Sequence, residues 1–113
     1  MKVVDKKIHI QDLKYLAKEM FGNLIKAVVD IEKEIMAVNA ELHADEEQYL
    51  LEKGSKQENL WGVNLYPEKT GGDFIEFDSM INLRPSQGNL SRGVDDPKVR
   101  QKIIKIINKL VEK

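Results

Sequence analysis

The sequence predicts an α+β fold: an antiparallel sheet built from two hairpins, with about three helices packed mainly on one face. Two stretches, 24–40 and 60–83, have the alternation or the β-branched content of paired strands. Three others, 11–21, 45–54 and 96–113, have the apolar spacing or the start and stop signals of helices. Hairpins that alternate with helices suit a sheet with helices on one face, which leaves the opposite face solvated or available for binding.

The first two predicted helices are short. Residues 2–10 alternate loosely and could supply a short first strand. The apolar residues after them recur at helical spacing, which predicts a helix over about 11–21 that Gly22 stops. Farther along, the acidic residues that begin at Asp45 favour the start of a second helix, which Gly54 ends.

Residues 24–40 are compatible with either a helix or a hairpin. One set of apolar residues would line a helix face: Leu24, Val28, Ile31 and Ile35. An overlapping set alternates as in a strand: Ile25, Ala27, Val29 and Ile31. The β-branched content favours the hairpin, with its turn at 32–34. That turn lacks the Gly or Asn that a tight two-residue turn prefers, so both alternatives stay open.

The strongest hairpin pattern spans 60–66 and 74–83, because both runs alternate and the segment 67–73 between them has turn chemistry throughout. Side chains alternate between the two faces of a strand, so one set is predicted to face the core: Trp61, Val63, Leu65, Ile75, Phe77, Ile81 and Leu83. The outer face should then carry Asn64, Tyr66, Phe74, Glu76, Asp78 and Asn82.

A polar connection, 84–95, is predicted to be a loop that joins the last strand to the last helix. Asp96 followed by Pro97 is a clear helix start, with Asp as the N-cap and Pro at the first helical position. The helix should run close to Lys113, and its buried stripe is predicted to be Val99, Ile103, Ile106, Ile107 and Leu110.

Composition limits the classes of protein that fit. A chain of 113 residues, 42% hydrophobic and 33% charged, is the size of one domain, 1–113. Cysteine is absent, which excludes disulfides, thiolate metal sites and cysteine nucleophiles and favours a cytoplasmic protein. Charges interrupt every apolar run near the N-terminus, so no signal peptide or membrane-spanning segment is expected.

The charges are unevenly distributed. Residues 1–81 hold 10 Lys and Arg against 16 Asp and Glu, whereas residues 82–113 hold 8 against 3. The first part is therefore −6 and the last part +5, although the whole chain is −1. A basic end on an acidic body indicates either an anion-binding surface or a helix whose solvated face is basic.

The segment 82–96 holds the best candidate ligand-binding residues: Asn82, Arg84, Ser86, Asn89 and Arg92. Arginines donate bidentate charged hydrogen bonds, and glycines let backbone amides approach a phosphate beside a helix start. The segment lacks the Gly-Lys-Ser/Thr ending of a P-loop. The alternative is a solvated connector whose arginines pair with Asp95, Asp96 or carboxylates of the sheet.

Three further groups have a chemical as well as a structural interpretation. Glu76 and Asp78 could form a carboxylate pair for acid-base work or Mg²⁺, with His43 or Arg84 beside them, although a polar outer sheet face explains the same residues. His43 also adjoins acidic residues, but no zinc spacing is present. The lysines and arginine of the last helix could contact RNA phosphates, with Tyr66 and Phe74 for stacking: Lys98, Arg100, Lys102, Lys105 and Lys109.

Two runs, KAVVDIEKEIMAVNAELHADEE and LWGVNLYPEKTGGDFIEFDSMINLRPSQGNLSRGVDDPKVRQKI, resemble a family of small prokaryotic proteins catalogued as a domain of unknown function. The resemblance covers nearly the whole chain and implies no activity, so it assigns no catalytic residue. It also implies that Gly is frequent at the position of Glu34, which supports the hairpin, although this chain departs from that pattern.

The leading functional hypothesis is therefore a binding or regulatory module that engages an anionic ligand, RNA or a nucleotide phosphate, through residues 82–96 and the basic last helix. The alternatives are a small metal-assisted hydrolase that uses the carboxylates of the sheet face, and a homodimer formed through an uncovered sheet face or edge. No cofactor and no membrane partner is expected.

Overall fold

A computed structural model of the protein describes residues 1–113. It contains three helices, a five-stranded antiparallel sheet and a small parallel sheet, so the predicted α+β class is confirmed. The strands and helices, in chain order, are β1 (Lys2–Val4), β2 (Ile8–His9), α1 (Ile10–Met20), β3 (Ile25–Asp30), β4 (Ile35–Val38), α2 (His43–Glu52), β5 (Leu60–Leu65), β6 (Ile75–Glu76), α3 (Pro97–Leu110) and β7 (Val111–Glu112).

The main sheet has the strand order β1-β4-β3-β5-β6, and every neighbouring pair is antiparallel. β3 is the central strand, where Val28 lies between Ala37 of β4 and Gly62 of β5. β6 adds only two residues at the far edge, with Glu76 opposite Asn64. The small sheet pairs β2 with β7 in parallel, so it joins the two ends of the chain.

The first hairpin is confirmed as β3 and β4, joined by a turn at residues 31–34. Asp30 organises this turn, because its Oδ1 accepts hydrogen bonds from the backbone N–H of Glu32 at 2.9 Å and of Lys33 at 3.0 Å. Glu34 has a positive φ of 56°. That left-handed conformation is one that glycine adopts most easily, so Glu34 occupies a position that would suit a glycine.

The helices cover both faces of the sheet, whereas the sequence suggested one open face. α1 and α3 pack on one face, where Leu13 and Ile103 join Val29 and Val63 in the larger core. α2 packs on the opposite face. There the fully buried Leu50 contributes about 2 kcal/mol. On this face Leu50 covers a small apolar patch formed by Val28 of β3 and Ala37 of β4.

The second hairpin is shorter than predicted, and the expectation that 74–83 forms one strand is wrong. Phe74 is in the helical region (φ −68°, ψ −37°), and its side chain is buried in the larger core rather than on the outer face. Residues Met80–Asn82 form a 3₁₀ turn, which leaves Leu83 exposed instead of buried.

The side chain of Asn82 explains why β6 ends early. Its Oδ1 accepts from the N–H of Gly62 at 2.8 Å, and its Nδ2 donates to the carbonyl oxygen of Gly62 at 2.9 Å. One amide side chain thereby replaces the two backbone hydrogen bonds that a longer β6 would make at this point of β5. The chain can therefore leave the sheet without leaving Gly62 unpaired.

The predicted helices are present with shifted ends. Asp96 caps α3 as expected, since its Oδ1 accepts from the N–H of Lys98 at 2.9 Å. α3 ends at Leu110 rather than near Lys113, because Val111 pairs with β2. The predicted first strand is likewise divided between the two sheets. No helix has both the length and the apolar character that crossing a membrane requires.

Candidate functional site

Two predicted site residues, Asn82 and Asn89, hold the loop together. In addition to its bonds to Gly62, Asn82 donates to the carbonyl oxygen of Arg92 at 3.0 Å. Asn89 Nδ2 donates to the carbonyl oxygens of Asn82 at 2.7 Å and Gly93 at 2.8 Å. Both side chains are buried, and their hydrogen-bonding groups serve the backbone around them.

Arg84 is hydrogen-bonded through its guanidinium group to the backbone at the start of β5. Its guanidinium donates to the carbonyl oxygens of Gln57, at 2.6 Å, and Leu60, and it lies 4.1 Å from the centre of the Trp61 ring. Burial lowers the pKa of Arg84, and the negative charge of nearby Glu47 opposes that shift. Only Nε is left without a hydrogen-bond partner. Arg84 therefore stabilises the fold and has little free surface for a ligand.

The two aspartates at the end of the loop do not neutralise its arginines. Asp95 accepts from the N–H of Leu90 at 2.7 Å and from the hydroxyl of Ser91 at 2.5 Å, and these bonds lower its pKa. Asp96 caps α3. Arg92 instead pairs with a carboxylate near the sheet face, at 2.8 Å from Nε to Oδ1 of Asp78.

The fifth predicted residue, Ser86, is exposed on a short 3₁₀ turn, Pro85–Gln87. The structure therefore does not bring the five predicted residues into one cavity. A ligand-binding role for the five stays a prediction.

Of the five, Arg92 alone lines the pocket beside the N-terminus of α2. This pocket, of about 220 Å³, lies where the N-terminus of α2 meets the outer side of β3 and β5. Its lining residues are Lys26, Leu42, His43, Ala44, Asn64, Asp78, Ser79, Met80, Ile81 and Arg92.

His43, the first residue of α2, has a fixed tautomer. Its Nε2 lies 2.8 Å from the carbonyl oxygen of Val63, which can only accept, so Nε2 carries the proton and Nδ1 is the unprotonated nitrogen. Burial lowers the pKa of His43 below 6.5. The imidazole is therefore neutral near pH 7 and offers Nδ1 as a hydrogen-bond acceptor or a base.

Asn64 has a buried amide oxygen that nothing in the protein satisfies. The side chain is 8% exposed. Its Nδ2 donates to Oε1 of Glu76 at 2.9 Å and to the carbonyl oxygen of Asp78 at 3.3 Å, whereas Oδ1 has no partner. Leaving a buried acceptor unpaired costs about 1–3 kcal/mol, so a donor supplied by a ligand would be favourable here.

The N-terminus of α2 faces the same pocket without a side-chain cap. Leu42 occupies the N-cap position and cannot accept a hydrogen bond. The backbone N–H groups of His43 and Ala44 make no hydrogen bond within the protein. Free N–H groups at the positive end of a helix dipole are suited to an anion.

The charges of the pocket include both signs. Lys26 is half-buried and forms no salt bridge, although its Nζ lies 5.1 Å from the centre of the Phe21 ring. Arg92 is paired with Asp78 through Oδ1. The pocket thus holds two cations and one carboxylate, and Lys26 is the cation without a paired carboxylate.

The predicted carboxylate pair does not form a metal site. Glu76 is held by Asn64 and by the hydroxyl of Tyr66, at 3.0 Å, whereas Asp78 is held by Arg92. Nowhere does the structure bring together three His, Asp or Glu side chains that could hold a metal ion.

The stacking surface suggested for RNA is also incomplete. Tyr66 is bonded to Glu76, and Phe74 is buried in the larger core. On the basic helix, Lys109 pairs with Glu34 at 3.1 Å.

The matched family is described as a protein of unknown function (DUF5674), and the match spans residues 2–110. The chain belongs to this family. No protein of curated function and no solved structure matches it. Within this DUF5674 chain, the roles of the pocket residues therefore have to be argued from their chemistry.

Sequence reasoning missed most of the pocket of this DUF5674 protein. No motif singles out Lys26, within the stretch 24–40, or Ser79, within the predicted strand 74–83. Asn64 was placed on the outer sheet face, which its hydrogen bond to Glu76 supports. The uncapped start of α2 is not marked either: Leu42 has no capping group, but the acidic residues from Asp45 predict a later helix start.

Proposed function

We propose that this protein is a binding module for a small anionic ligand, held in the pocket between α2 and the sheet. The observation that carries the proposal is the set of unsatisfied groups in one cavity: the free N–H groups of His43 and Ala44, and the buried Oδ1 of Asn64. The uncompensated charge of Lys26 adds attraction for the anion.

This proposal keeps the anionic ligand expected from the sequence and moves its site from residues 82–96 to the pocket. Only Arg92 belongs to both. A cavity of about 220 Å³ is smaller than a typical drug-sized pocket, so it suits a metabolite or a single charged group rather than a polymer. Because cysteine is absent, cytoplasmic metabolites are the class in which the ligand is sought first.

Heteronuclear NMR titration at constant ionic strength tests the proposal, with sodium acetate and sodium phosphate as probes. The backbone amides of His43 and Ala44 are expected to shift in a saturable way. Lys26→Gln should weaken the binding by about tenfold, or ~1.4 kcal/mol, because it removes the charge without removing the side-chain stem.

Lys105→Gln is the matched control, since Lys105 is an exposed lysine of α3 without a salt bridge and outside the pocket. It should bind both probes as the natural protein does. Absence of saturable shifts at His43 and Ala44, or equal weakening by both lysine substitutions, would contradict the proposal.

A further inference from the structure

An anion alone leaves several groups of the pocket unused. Three of them accept hydrogen bonds: Oδ1 of Asn64, Nδ1 of His43 and Oδ2 of Asp78, the last being free because Oδ1 carries the pair with Arg92. Two others are apolar, since Leu42 and Met80 line the same cavity with 54% and 62% of their surfaces exposed. A matching ligand therefore needs an anionic group, a donor group and an apolar part.

We propose that the ligand is a zwitterion, a free α-amino acid with an aliphatic side chain. The inference rests on the proposed anion site and deepens it. The carboxylate would be held by the N–H groups of His43 and Ala44 and by Lys26. An anionic group at a helix N-terminus is favoured by the dipole as well as by the hydrogen bonds.

The ammonium group would occupy the acceptor side of the pocket. It has three N–H donors, and the pocket offers three unpaired acceptors, one each on Asn64, His43 and Asp78. The carboxylate of Asp78 supplies the opposite charge. The three N–H donors of the ammonium group therefore match the three acceptors of the pocket, and the buried ammonium charge is paired with a carboxylate.

The apolar side chain would lie against Leu42 and Met80. Both are exposed in the protein as it stands, and both contribute to the rim of a polar cavity. Met is a flexible, polarisable residue that adapts to different apolar shapes. Covering these two side chains would remove apolar surface from water, which favours an aliphatic amino acid over glycine.

Calorimetry and NMR titration with L-leucine and four relatives test the inference. Isocaproate lacks the ammonium group, leucinamide lacks the carboxylate, glycine lacks the side chain, and N-acetyl-L-leucine has its amine blocked as in a peptide. L-Leucine is expected to bind at least about tenfold more tightly than each of the four.

Asp78→Asn provides a result that a structural role would not produce. It should weaken L-leucine about tenfold, because the ammonium loses its counter-charge, and it should bind isocaproate as tightly as the natural protein or more tightly, because Arg92 is released. Met80→Ala should reduce the difference in affinity between L-leucine and glycine. Met20→Ala, at an exposed methionine of α1 outside the pocket, should leave that difference unchanged.

The outcomes separate this inference from the anion site. Equal binding of isocaproate and L-leucine would overturn the zwitterion and leave the anion site standing. Equal binding of N-acetyl-L-leucine would overturn the free amino acid in favour of a peptide C-terminus. If leucinamide bound as tightly as L-leucine, or if no carboxylate bound at all, both the anion site and the amino-acid ligand would be overturned.

Discussion

The loop 82–96 and the pocket beside α2 contain polar residues of the same kinds, but their hydrogen bonding differs. In the loop, Asn82 and Asn89 are buried and their amide groups are paired with backbone. In the pocket, Asn64 is also buried and keeps an unpaired Oδ1. The N-terminus of α3 is capped by Asp96, whereas that of α2 is not capped by a side chain.

This difference separates polar residues that build the fold from those available to a ligand. Residue type alone favours the loop as a binding site, because arginine, asparagine and serine are common phosphate-binding residues. The amide of Asn89 is already hydrogen-bonded to backbone groups and cannot bind a ligand as well. The buried Oδ1 of Asn64 has no hydrogen-bond partner and can accept a bond from a ligand. In the loop, Nε of Arg84 is the one buried side-chain atom without a hydrogen-bond partner.

The largest effect is expected for Asn82→Ala. The change leaves the N–H and the carbonyl oxygen of Gly62 unpaired inside the protein. The carbonyl oxygen of Arg92 loses one of its two donors and keeps the N–H of Ser79 at 2.9 Å. We expect the free energy of unfolding, measured with urea, to fall by about 4 kcal/mol. Ser86→Ala, at an exposed position of the same segment, should change it by less than about 0.5 kcal/mol.

Asn82→Asp sharpens this prediction. It keeps an oxygen that accepts from Gly62 but sets a second carboxylate oxygen against the carbonyl oxygens of Gly62 and Arg92 in a fully buried site. A loss of stability comparable to that of Asn82→Ala is therefore expected at pH 7, because a buried charge without a donor is unfavourable. If Asn82→Ala were as stable as Ser86→Ala, the loop would not depend on this amide, and the contrast between loop and pocket would fail.

Much of the fold could be predicted because its signals are local. The Asp96-Pro97 start of α3 and the β-branched residues of β3 and β4 are readable within a few positions. The early end of β6 was not predictable, because it depends on the side chain of Asn82 reaching Gly62, 20 residues away. Nor was the pairing of β2 with β7, since each strand has only two residues.

The pocket was harder to predict than the fold for the same physical reason. Its residues come from separate places in the chain: Lys26, the segment 42–44, Asn64, the segment 78–81 and Arg92. Nothing in their spacing marks them as a group, because only the sheet register and the packing of α2 bring them together. A site assembled in this way is visible only in three dimensions.

The second prediction concerns Glu46 of α2, whose buried carboxyl group contrasts with the satisfied loop. Its Oε2 accepts from the N–H of Ala40 at 3.1 Å, and its Oε1 has no partner. Burial raises the pKa of Glu46 from 4.5 to about 9, so the folded protein holds a neutral acid at pH 7. The unfolded chain releases that proton at much lower pH.

The sign of the pH dependence follows from this difference. The contribution of Glu46 to stability is fully present below pH 4.5 and is lost as the pH rises towards about 9, because the unfolded state binds fewer protons over that window. We expect Glu46→Gln to gain stability relative to the natural protein by about 1.4 kcal/mol per pH unit, and thus by about 3 kcal/mol between pH 4.5 and 7.

Urea unfolding at a series of pH values measures this gain. Glu52→Gln, at an exposed position of the same helix, is the control and should leave the slope as it is in the natural protein. Parallel stability curves for Glu46→Gln and the natural protein would show that Glu46 is ionised in the folded state.

The smallest effect is expected for Gly62→Ala, at the point where loop and pocket meet. A Cβ there would lie 2.6 Å from Cβ and Oγ of Ser79 and 3.2 Å from Cδ2 of His43, so both pocket residues must move. We expect a loss of about 2 kcal/mol in the free energy of unfolding, typical of overpacking, together with changed chemical shifts of the His43 ring. Gly72→Ala, where no atom lies within 4 Å, should change stability by less than about 0.5 kcal/mol.

Two outcomes would contradict this prediction. If Gly62→Ala and Gly72→Ala had the same small effect on stability, Ser79 and His43 would not lie against Gly62 of β5 at the distances given above. If Gly62→Ala lost stability while the anion probes still bound unchanged, the pocket would depend less on the position of His43 than its place at the uncapped start of α2 indicates.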